Sequence, residues 1–187
     1  MQHVHRVLDF ERLDPFDSLE RADDVFCCLG TTIDKAGSRA EFRKVDFDYV
    51  VRAGKFAKKA GAAQFLVVSA LGANPESALF YNRIKGETEA ALRALGLPAL
   101  HVFRPSLLLG KRDEVRVGER LATLPLRAVG PLMLGPLRRY RAIDANVVAR
   151  VMLCVAEREL SGMHIYESER IVELSRELTR EVGPPLA

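Results

Sequence analysis

Residues 69–85 read Ser69-Ala-Leu-Gly-Ala-Asn-Pro-Glu-Ser-Ala-Leu-Phe-Tyr81-Asn-Arg-Ile-Lys85, and the interpretation of the whole chain starts from this stretch. Its serine closes a β-branched apolar run, Gln64-Phe-Leu-Val-Val-Ser69, which predicts a buried strand. Its tyrosine stands four residues before its lysine, and residues four apart share one face of a helix. We therefore expect Tyr81 and Lys85 to face the carboxyl end of the strand that Ser69 closes.

These three side chains suit the interconversion of a carbonyl and an alcohol. A phenol has a pKa near 10, and an ammonium about 4–6 Å away favours the phenolate and lowers that pKa. Tyr81 would then pass a proton to or from a substrate oxygen that Ser69 holds, while a separate carrier supplies the hydride. A Tyr-x-x-x-Lys pair is common by chance in amphipathic helices, so Ser69 at the strand end is what favours catalysis.

Further stretches between about residues 7 and 120 match the pattern of one family. They are Val7-Leu-Asp-Phe-Glu-Arg-Leu-Asp14, Phe26-Cys-Cys-Leu-Gly-Thr-Thr32 with Lys35-Ala-Gly37, Val45-Asp46 with Asp48-Tyr-Val50, Tyr81 with Lys85-Gly86-Glu87, and Val102-Phe-Arg-Pro105. In them the chain resembles short-chain dehydrogenases/reductases of the extended or atypical kind, most closely the Tat-interacting oxidoreductase group. This resemblance implies an α/β fold, a parallel Rossmann-like sheet flanked by helices.

The resemblance also implies roles for individual residues. Tyr81 would be the acid-base group, Lys85 its activator and a ribose ligand, and Ser69 the hydroxyl that orients the substrate. The Arg-Pro stretch at 104–105 would lie over the nicotinamide. NADP is favoured over NAD by resemblance alone. The residues that would line the cofactor are Asp9, Phe10, Leu29, Gly30, Lys85, Leu108 and Arg116.

Simpler interpretations of four of these positions stay open. Asp9 also suits a helix N-cap. Gly30 lets a ligand approach the backbone closely, yet a plain strand-to-loop glycine would look the same. Leu108 fits a core position equally well, and Arg116 fits a solvated loop charge.

Composition describes an ordinary globular chain and excludes several classes of function. The chain has 187 residues, of which 48% are apolar and 28% charged, with a net charge of +3. The length fits one domain over residues 1–187, and the small net charge predicts no nucleic-acid partner. The resemblance implies that this domain binds NAD(P) and acts on a small carbonyl or alcohol. The three cysteines show no metal-ligand spacing. No apolar leader precedes residue 20 and no apolar run could span a bilayer, which predicts a cytoplasmic protein without a membrane span. A homodimer is left open.

The hydrophobic pattern predicts alternating strands and helices. Residues 36–42 are expected to be a mobile charged connection, and 121–141 a substrate-side or lid segment over an apolar ligand. Strands are predicted over 4–10, 24–30, 64–69, 99–109 with a bend at Pro105, and 163–167, and helices over 46–60, 81–95 and 144–157, with a helical turn in the tail.

The sequence contains no Gly-rich turn of the kind that opens a dinucleotide fold and holds the pyrophosphate. We therefore expect an N-terminally truncated sheet, without its first two strands and Gly-rich loop, that binds cofactor weakly or not at all. The favoured explanation is that Met1 is a misassigned internal start. Two others stay open: a genuine truncation, or a rebuilt sheet in which strand 4–9 pairs directly with strand 25–30 or with a second subunit. The leading function is an NAD(P)-dependent oxidoreductase, and the alternatives are a non-catalytic NAD(P)-sensing or partner-binding module and an inactive remnant.

Overall fold

The structure of the protein, a computed structural model, describes residues 10–11, 21–109 and 140–182. The predicted strand over 4–9, Asp9, Arg116 and most of segment 121–141 lie outside these described residues. The strands in the described ranges are β1 (Asp24–Cys27), β2 (Gln64–Val68), β3 (Ala99–Arg104), β4 (Leu108–Leu109), β5 (Ile143–Asp144) and β6 (Gly162–Glu167).

Four of these strands form one parallel sheet in the order β1-β2-β3-β6, and β4 pairs with β5 in a separate parallel ladder. The helices that connect and cover them are α1 (Ile33–Ala36), α2 (Arg39–Arg43), a π-helical turn (Lys44–Tyr49), α3 (Val50–Lys59), α4 (Phe80–Ala94), α5 (Ala145–Glu157) and α6 (Ser168–Val182).

The sheet separates two hydrophobic clusters because side chains alternate along each strand. Phe65 and Val67 of β2 pack with α3 and α4 on one face. Leu66, between them in sequence, packs with α5 and α6 on the other face. This arrangement of helices on both faces of a parallel sheet confirms the predicted Rossmann-like α/β fold.

Residues 36–42 are not the mobile connection that their charge suggested. They contribute to two short helices, α1 and α2, separated by Gly37, which has a φ of 73°. Thr32 and Ser38 cap the two helices, since each side chain accepts a hydrogen bond from a backbone N–H three residues further along. These capping residues are a sequence signal that outweighs the charge of the segment.

The single bent strand expected over 99–109 is two strands in two different ladders. Proline has no N–H to donate, so the β3 ladder ends before Pro105. The carbonyl of Pro105 accepts a hydrogen bond from the N–H of Leu71 at 3.0 Å, which ties the loop after β2 to this bend. The tail also differs from prediction, because α6 is a full helix of 15 residues.

Strand β1 is only partly buried. Cys27 packs against the cluster beneath α3, whereas Phe26, which points to the other face, is 40% exposed. In the described residues, α5 and α6 cover β2, β3 and β6 but leave this side chain uncovered. β1 lies at the border of the described sheet.

Candidate active site

Helix α4 carries the two residues on which the catalytic prediction rests. It begins at Phe80, so Tyr81 and Lys85 lie in its first two turns. The loop before it is held against the helix, since the N–H of Asn74 donates to the carbonyl of Asn82 at 3.0 Å. Gly86 allows this close approach, because a Cβ there would lie 2.2 Å from backbone atoms of Asn74. The amino-terminal end of α4 is therefore fixed near the carboxyl end of β2.

Lys85 forms a buried ion pair. Its Nζ lies 2.7 Å from Oδ1 of Asp46, and the Asp46 residue is 1% exposed. A buried ammonium and a buried carboxylate each require a partner, because desolvating either one alone is costly. The pairing fixes where the lysine ammonium lies.

Asp46 connects three parts of the fold at this point. It lies in the π-helical turn between α2 and α3, and such turns are frequent at functional sites. Its Oδ2 accepts a hydrogen bond from the N–H of Thr31 at 2.8 Å, and its carbonyl accepts one from Oγ1 of Thr88 at 2.9 Å. A Cβ at Gly30 would lie 3.4 Å from Oδ1 of Asp46 and 3.8 Å from Nζ of Lys85. The turn after β1 thus lies directly on the ion pair.

Tyr81 lies against an aromatic residue rather than against the ammonium. Its ring packs on that of Phe42 with a centroid distance of 5.6 Å, and Phe42 is fully buried. The Nζ of Lys85 is 6.0 Å from the centroid of the Tyr81 ring. The lysine ammonium is therefore near both the ring of Tyr81 and the turn after β1.

The hydroxyl of Ser69 points to a different partner from the one expected. It donates a hydrogen bond to Oε1 of Glu89, which lies one turn after Lys85 on α4. Arg104 holds the same carboxylate, with Nε 3.0 Å from Oε1 and Nη2 2.5 Å from Oε2. Its Nη1 also donates to Glu167 at 2.9 Å. These two carboxylates, Glu89 foremost, raise the pKa of the guanidinium.

A cavity of about 10 Å³, room for a single water, joins this group to the ion pair. It lies between β2 and α4. Its walls include Asp46 and Lys85 of the ion pair together with Ser69 and Glu89. These buried polar side chains lie near the carboxyl end of β2, at the edge of the sheet where α/β folds bind ligands.

The structure places the other predicted site residues in several environments. Phe10 stacks on Tyr49 with a centroid distance of 5.1 Å, and Leu29 packs against the cluster beneath α3. Leu108 packs against the cluster beneath α5 and pairs with Ile143. Gly30 and Lys85 are brought together, whereas Leu108 belongs to the opposite face of the sheet.

The sequence reasoning assigned no role to two residues of this polar group, Glu89 and Asp46. Glu89 could have been found, because it continues the spacing of Tyr81 and Lys85 along one face of α4. Asp46 carried no such signal, since it lies 39 residues from Lys85 in the chain and only folding joins them. The guanidinium of Arg104, whose Arg-Pro stretch is expected over the nicotinamide, is bound by Glu89 and Glu167.

Within the described ranges, no cluster of His, Cys, Asp or Glu side chains could hold a metal ion. None of the helices described there is long and apolar enough to cross a membrane.

The described strands and helices form a Rossmann-like α/β fold, and comparison with known proteins specifies the family. The chain is 39% identical to Protein HTATIP2 of Rattus norvegicus over 173 residues, covering 91% of this chain and 69% of that protein. It is 35% identical to Protein FMP52, mitochondrial, of Debaryomyces hansenii, covering 73% of this chain and 60% of that protein. No family model matches the chain. The chain belongs to the short-chain dehydrogenase/reductase superfamily, in the group that contains HTATIP2.

Solved structures with the same fold include two that contain a nicotinamide cofactor. MoeE5 in complex with UDP-glucose and NAD matches with a TM-score of 0.62 at 14% identity, covering 92% of this chain and 67% of that one. RMD from Pseudomonas aeruginosa complexed with NADPH matches with a TM-score of 0.58 at 18% identity, covering 97% and 74%. At these identities the likeness establishes the fold alone.

The prediction of a cytoplasmic protein is contradicted by the relatives. The proteins of Debaryomyces hansenii, Emericella nidulans and Candida albicans, 32–35% identical to this chain, are named mitochondrial. The prediction relied on the lack of an apolar leader, and an apolar leader is the signal for secretion. Mitochondrial targeting segments are amphipathic and Arg-rich instead, so that criterion could not separate the two locations.

Proposed function

We propose that this chain is part of an NAD(P)-dependent oxidoreductase that interconverts a carbonyl and an alcohol. One observation carries the proposal. Tyr81 and Lys85 lie one turn apart on α4, and the ammonium of Lys85 lies beside Gly30 at the carboxyl end of β1. A phenol and a buried ammonium at that edge of a parallel sheet are suited to proton transfer next to a bound dinucleotide.

The residues around the ion pair fit a cofactor ribose. An ammonium has three donors, and that of Lys85 forms an ion pair with Oδ1 of Asp46 at 2.7 Å. The missing side chain of Gly30 leaves space above the pair for a ligand to approach the backbone. Lys85 would therefore donate to ribose hydroxyls while Asp46 keeps its ammonium in place. A nicotinamide, when bound, supplies or accepts the hydride.

Tyr81 would pass the proton at the substrate oxygen. Its contact with the buried ring of Phe42 fixes the orientation of the phenol and keeps one side of it dry. Phe10, Leu29 and Leu108 remain proposed cofactor contacts, as do Asp9 and Arg116 outside the described residues. Segment 121–141 remains the proposed substrate-side segment. The names of the fungal relatives support a mitochondrial setting for this activity.

Titration with NADPH and NADH, followed by nicotinamide fluorescence, tests this function. The lack of a Gly-rich turn predicts an affinity weaker than micromolar, so the titration extends into the millimolar range. Lys85→Met is expected to weaken cofactor binding about tenfold or more, because it removes a charge-assisted hydrogen bond to the ribose. Lys55→Met, an exposed lysine of α3, is the matched control. Equal affinity of Lys85→Met and of the unmodified chain for the cofactor would contradict the proposal.

Turnover separates the enzyme from a binding module. With NADPH and a panel of aliphatic and aromatic ketones, Tyr81→Phe should keep cofactor binding and lose nearly all turnover. A non-catalytic NAD(P)-sensing module is the second candidate. It is favoured by the hydrogen bond of Ser69 to Glu89, which occupies the hydroxyl expected to hold the substrate. That candidate would be supported if the chain binds NADPH but reduces none of the ketones, and if Tyr81→Phe leaves its NADPH affinity unchanged.

A further inference from the structure

Three aromatic rings pack together where α2 meets the start of α4. The ring of Phe42 is fully buried, and its centroid lies 5.6 Å from that of Tyr81 and 5.7 Å from that of Phe80. Phe80 directly precedes Tyr81 in the chain and is only partly buried. The proposed proton donor therefore adjoins an apolar surface that is suited to contact the carbon skeleton of a substrate.

Two guanidinium groups lie at the ring of Phe80. Cζ of Arg39 on α2 is 5.1 Å from the ring centroid, and Cζ of Arg83, three residues after Phe80 on α4, is 5.8 Å from it. Nη1 of Arg83 also donates a hydrogen bond to the carbonyl of Ser77 at 2.9 Å, which fixes the guanidinium without neutralising it. Two positive charges are thus held beside the same aromatic group that contacts Tyr81.

The charges of these two arginines are not offset by a carboxylate within the described part of the chain. Neither residue forms an ion pair there. By contrast Arg43, one turn after Arg39 on the same helix, pairs with Glu87, and Lys85 pairs with Asp46. The two charges at Phe80 therefore differ from the other cations around α4, because an incoming anion would not have to displace an internal carboxylate.

A guanidinium is well suited to bind an oxyanion. It stays charged at any physiological pH, and its N–H groups form a planar fork that matches a carboxylate or a phosphate. The attraction between a guanidinium and an aromatic ring comes from its positive charge and does not neutralise that charge. Two such groups at one ring therefore indicate a binding site for a ligand that is aromatic or aliphatic at one end and anionic at the other.

We propose that the substrate carries an anionic group, a carboxylate or a phosphate, and that Arg39 and Arg83 bind this group. The inference rests on the proposed function, in which Tyr81 transfers the proton at the substrate oxygen. Phe80 would contact the carbons between the reacting oxygen and the anion. The two arginines would then determine which carbonyl compounds bind, and they take no part in the proton transfer.

Two aromatic ketones that differ in charge test this inference by binding. Benzoylpropionate carries a carboxylate joined to its carbonyl through two methylene groups, and its methyl ester has the same keto skeleton without the charge. Isothermal titration calorimetry of the full chain with NADP⁺ present is expected to show at least about tenfold tighter binding of the acid, from a charge-assisted hydrogen bond. Because Arg39 is exposed and Arg83 partly so, this difference should shrink when the salt concentration is raised.

Variants that remove one charge locate the anion. Arg39→Gln and Arg83→Gln are each expected to lower the affinity for benzoylpropionate about tenfold and to reduce the preference for the acid over the ester. Arg93→Gln, at an exposed arginine near the end of α4, is the matched control and should keep that preference. Far-UV circular dichroism checks that each variant is folded. An unmodified chain that does not prefer the acid, or an equal loss of preference in Arg93→Gln, would overturn the proposal.

The same titrations with phenacyl phosphate, an aromatic ketone with a phosphate, distinguish the two kinds of anion. The arginine variants should lose more affinity for the compound whose anion the site is built to bind. A loss for either compound supports the proposal and identifies the anion. If both variants bind the acid and the phosphate as tightly as the unmodified chain does, the proposal fails.

Reduction of the same ketones with NADPH provides the kinetic measurement. The kcat/KM for benzoylpropionate should exceed that for its ester about tenfold, and this ratio should fall toward one in either variant, chiefly through KM. A loss of preference for NADPH over NADH with an unchanged ratio would mean that the arginines bind the cofactor phosphate, and would overturn the proposal. If the unmodified chain reduces none of these ketones, the proposed function fails, and the titrations decide this inference by themselves.

Discussion

Replacement of Gly86 by alanine measures how tightly α4 packs on the loop after β2. A Cβ at this position would lie 2.2 Å from the carbonyl carbon of Asn74 and from the nitrogen of Pro75, where ordinary contacts begin at 3.4 Å. These are backbone atoms, which cannot rotate away as the end of a side chain can. The loop therefore has to move by about 1 Å, and the hydrogen bond from Asn74 to α4 has to lengthen.

Two opposing effects set the size of the change. Alanine is favoured over glycine inside a helix by about 0.5–1 kcal/mol. Overpacking a closely packed site costs about 1–3 kcal/mol, and occasionally more. Because rigid backbone lies on the obstructing side, we take the upper part of that range. The net result for Gly86→Ala is a loss of about 2 kcal/mol in the free energy of unfolding, roughly a thirtyfold change in the unfolding equilibrium.

Gly54→Ala is the matched control for this prediction. Gly54 also lies inside a helix, so the gain in helix propensity is the same. Its Cβ would meet the ends of the Leu92 and Leu95 side chains, at 2.5 Å and 2.9 Å, and these can rotate. We expect a change of about 1 kcal/mol or less. Urea denaturation followed by far-UV circular dichroism compares both variants with the unmodified chain. A Gly86→Ala chain as stable as Gly54→Ala would refute the reasoning.

Three further predictions concern buried side chains. Burial, and then the nearby charge of His164, lower the pKa of His101. Protonation therefore favours the unfolded chain, so the contribution of His101 to the free energy of unfolding should be fully present above pH ~6.5 and be lost as the pH falls below that value. An equal pH dependence of the free energy of unfolding in His101→Gln would contradict this. Burial raises the pKa of the Cys27 thiol to about 11, so a maleimide at pH 8 should label exposed Cys28 first, and equal labelling rates in the folded chain would count against it. Leu92→Ala, in the fully buried contact of α4 with α3, should lower the free energy of unfolding by about 2–5 kcal/mol in urea denaturation. A loss under about 1 kcal/mol would mean that neighbouring side chains move in to fill the cavity.

Local pattern accounts for the elements that the sequence predicted correctly. The apolar run before Ser69 marked β2, and the helical spacing after Asp46 and around Tyr81 marked α3 and α4. The same reasoning failed where two local signals competed. Charge suggested a loose connection over 36–42, but the capping hydroxyls of Thr32 and Ser38 make helices of it. Capping acts through a single hydrogen bond, which a count of charges does not register.

The sequence by itself determined most of the strands and helices and the side-by-side placement of Tyr81 and Lys85, because both follow from the period of a strand or a helix. Tertiary structure alone decided what those side chains contact. Asp46 reaches Lys85, and Arg104 reaches Glu89, only after parallel strands bring their carboxyl ends to one edge. A buried charge needs an opposite charge nearby. Only the fold decides which charges meet, and a hydroxyl beside such a pair donates to the acceptor that it finds there. The sequence pattern could place Ser69 at the end of β2, but only the tertiary structure shows that its hydroxyl donates a hydrogen bond to Glu89.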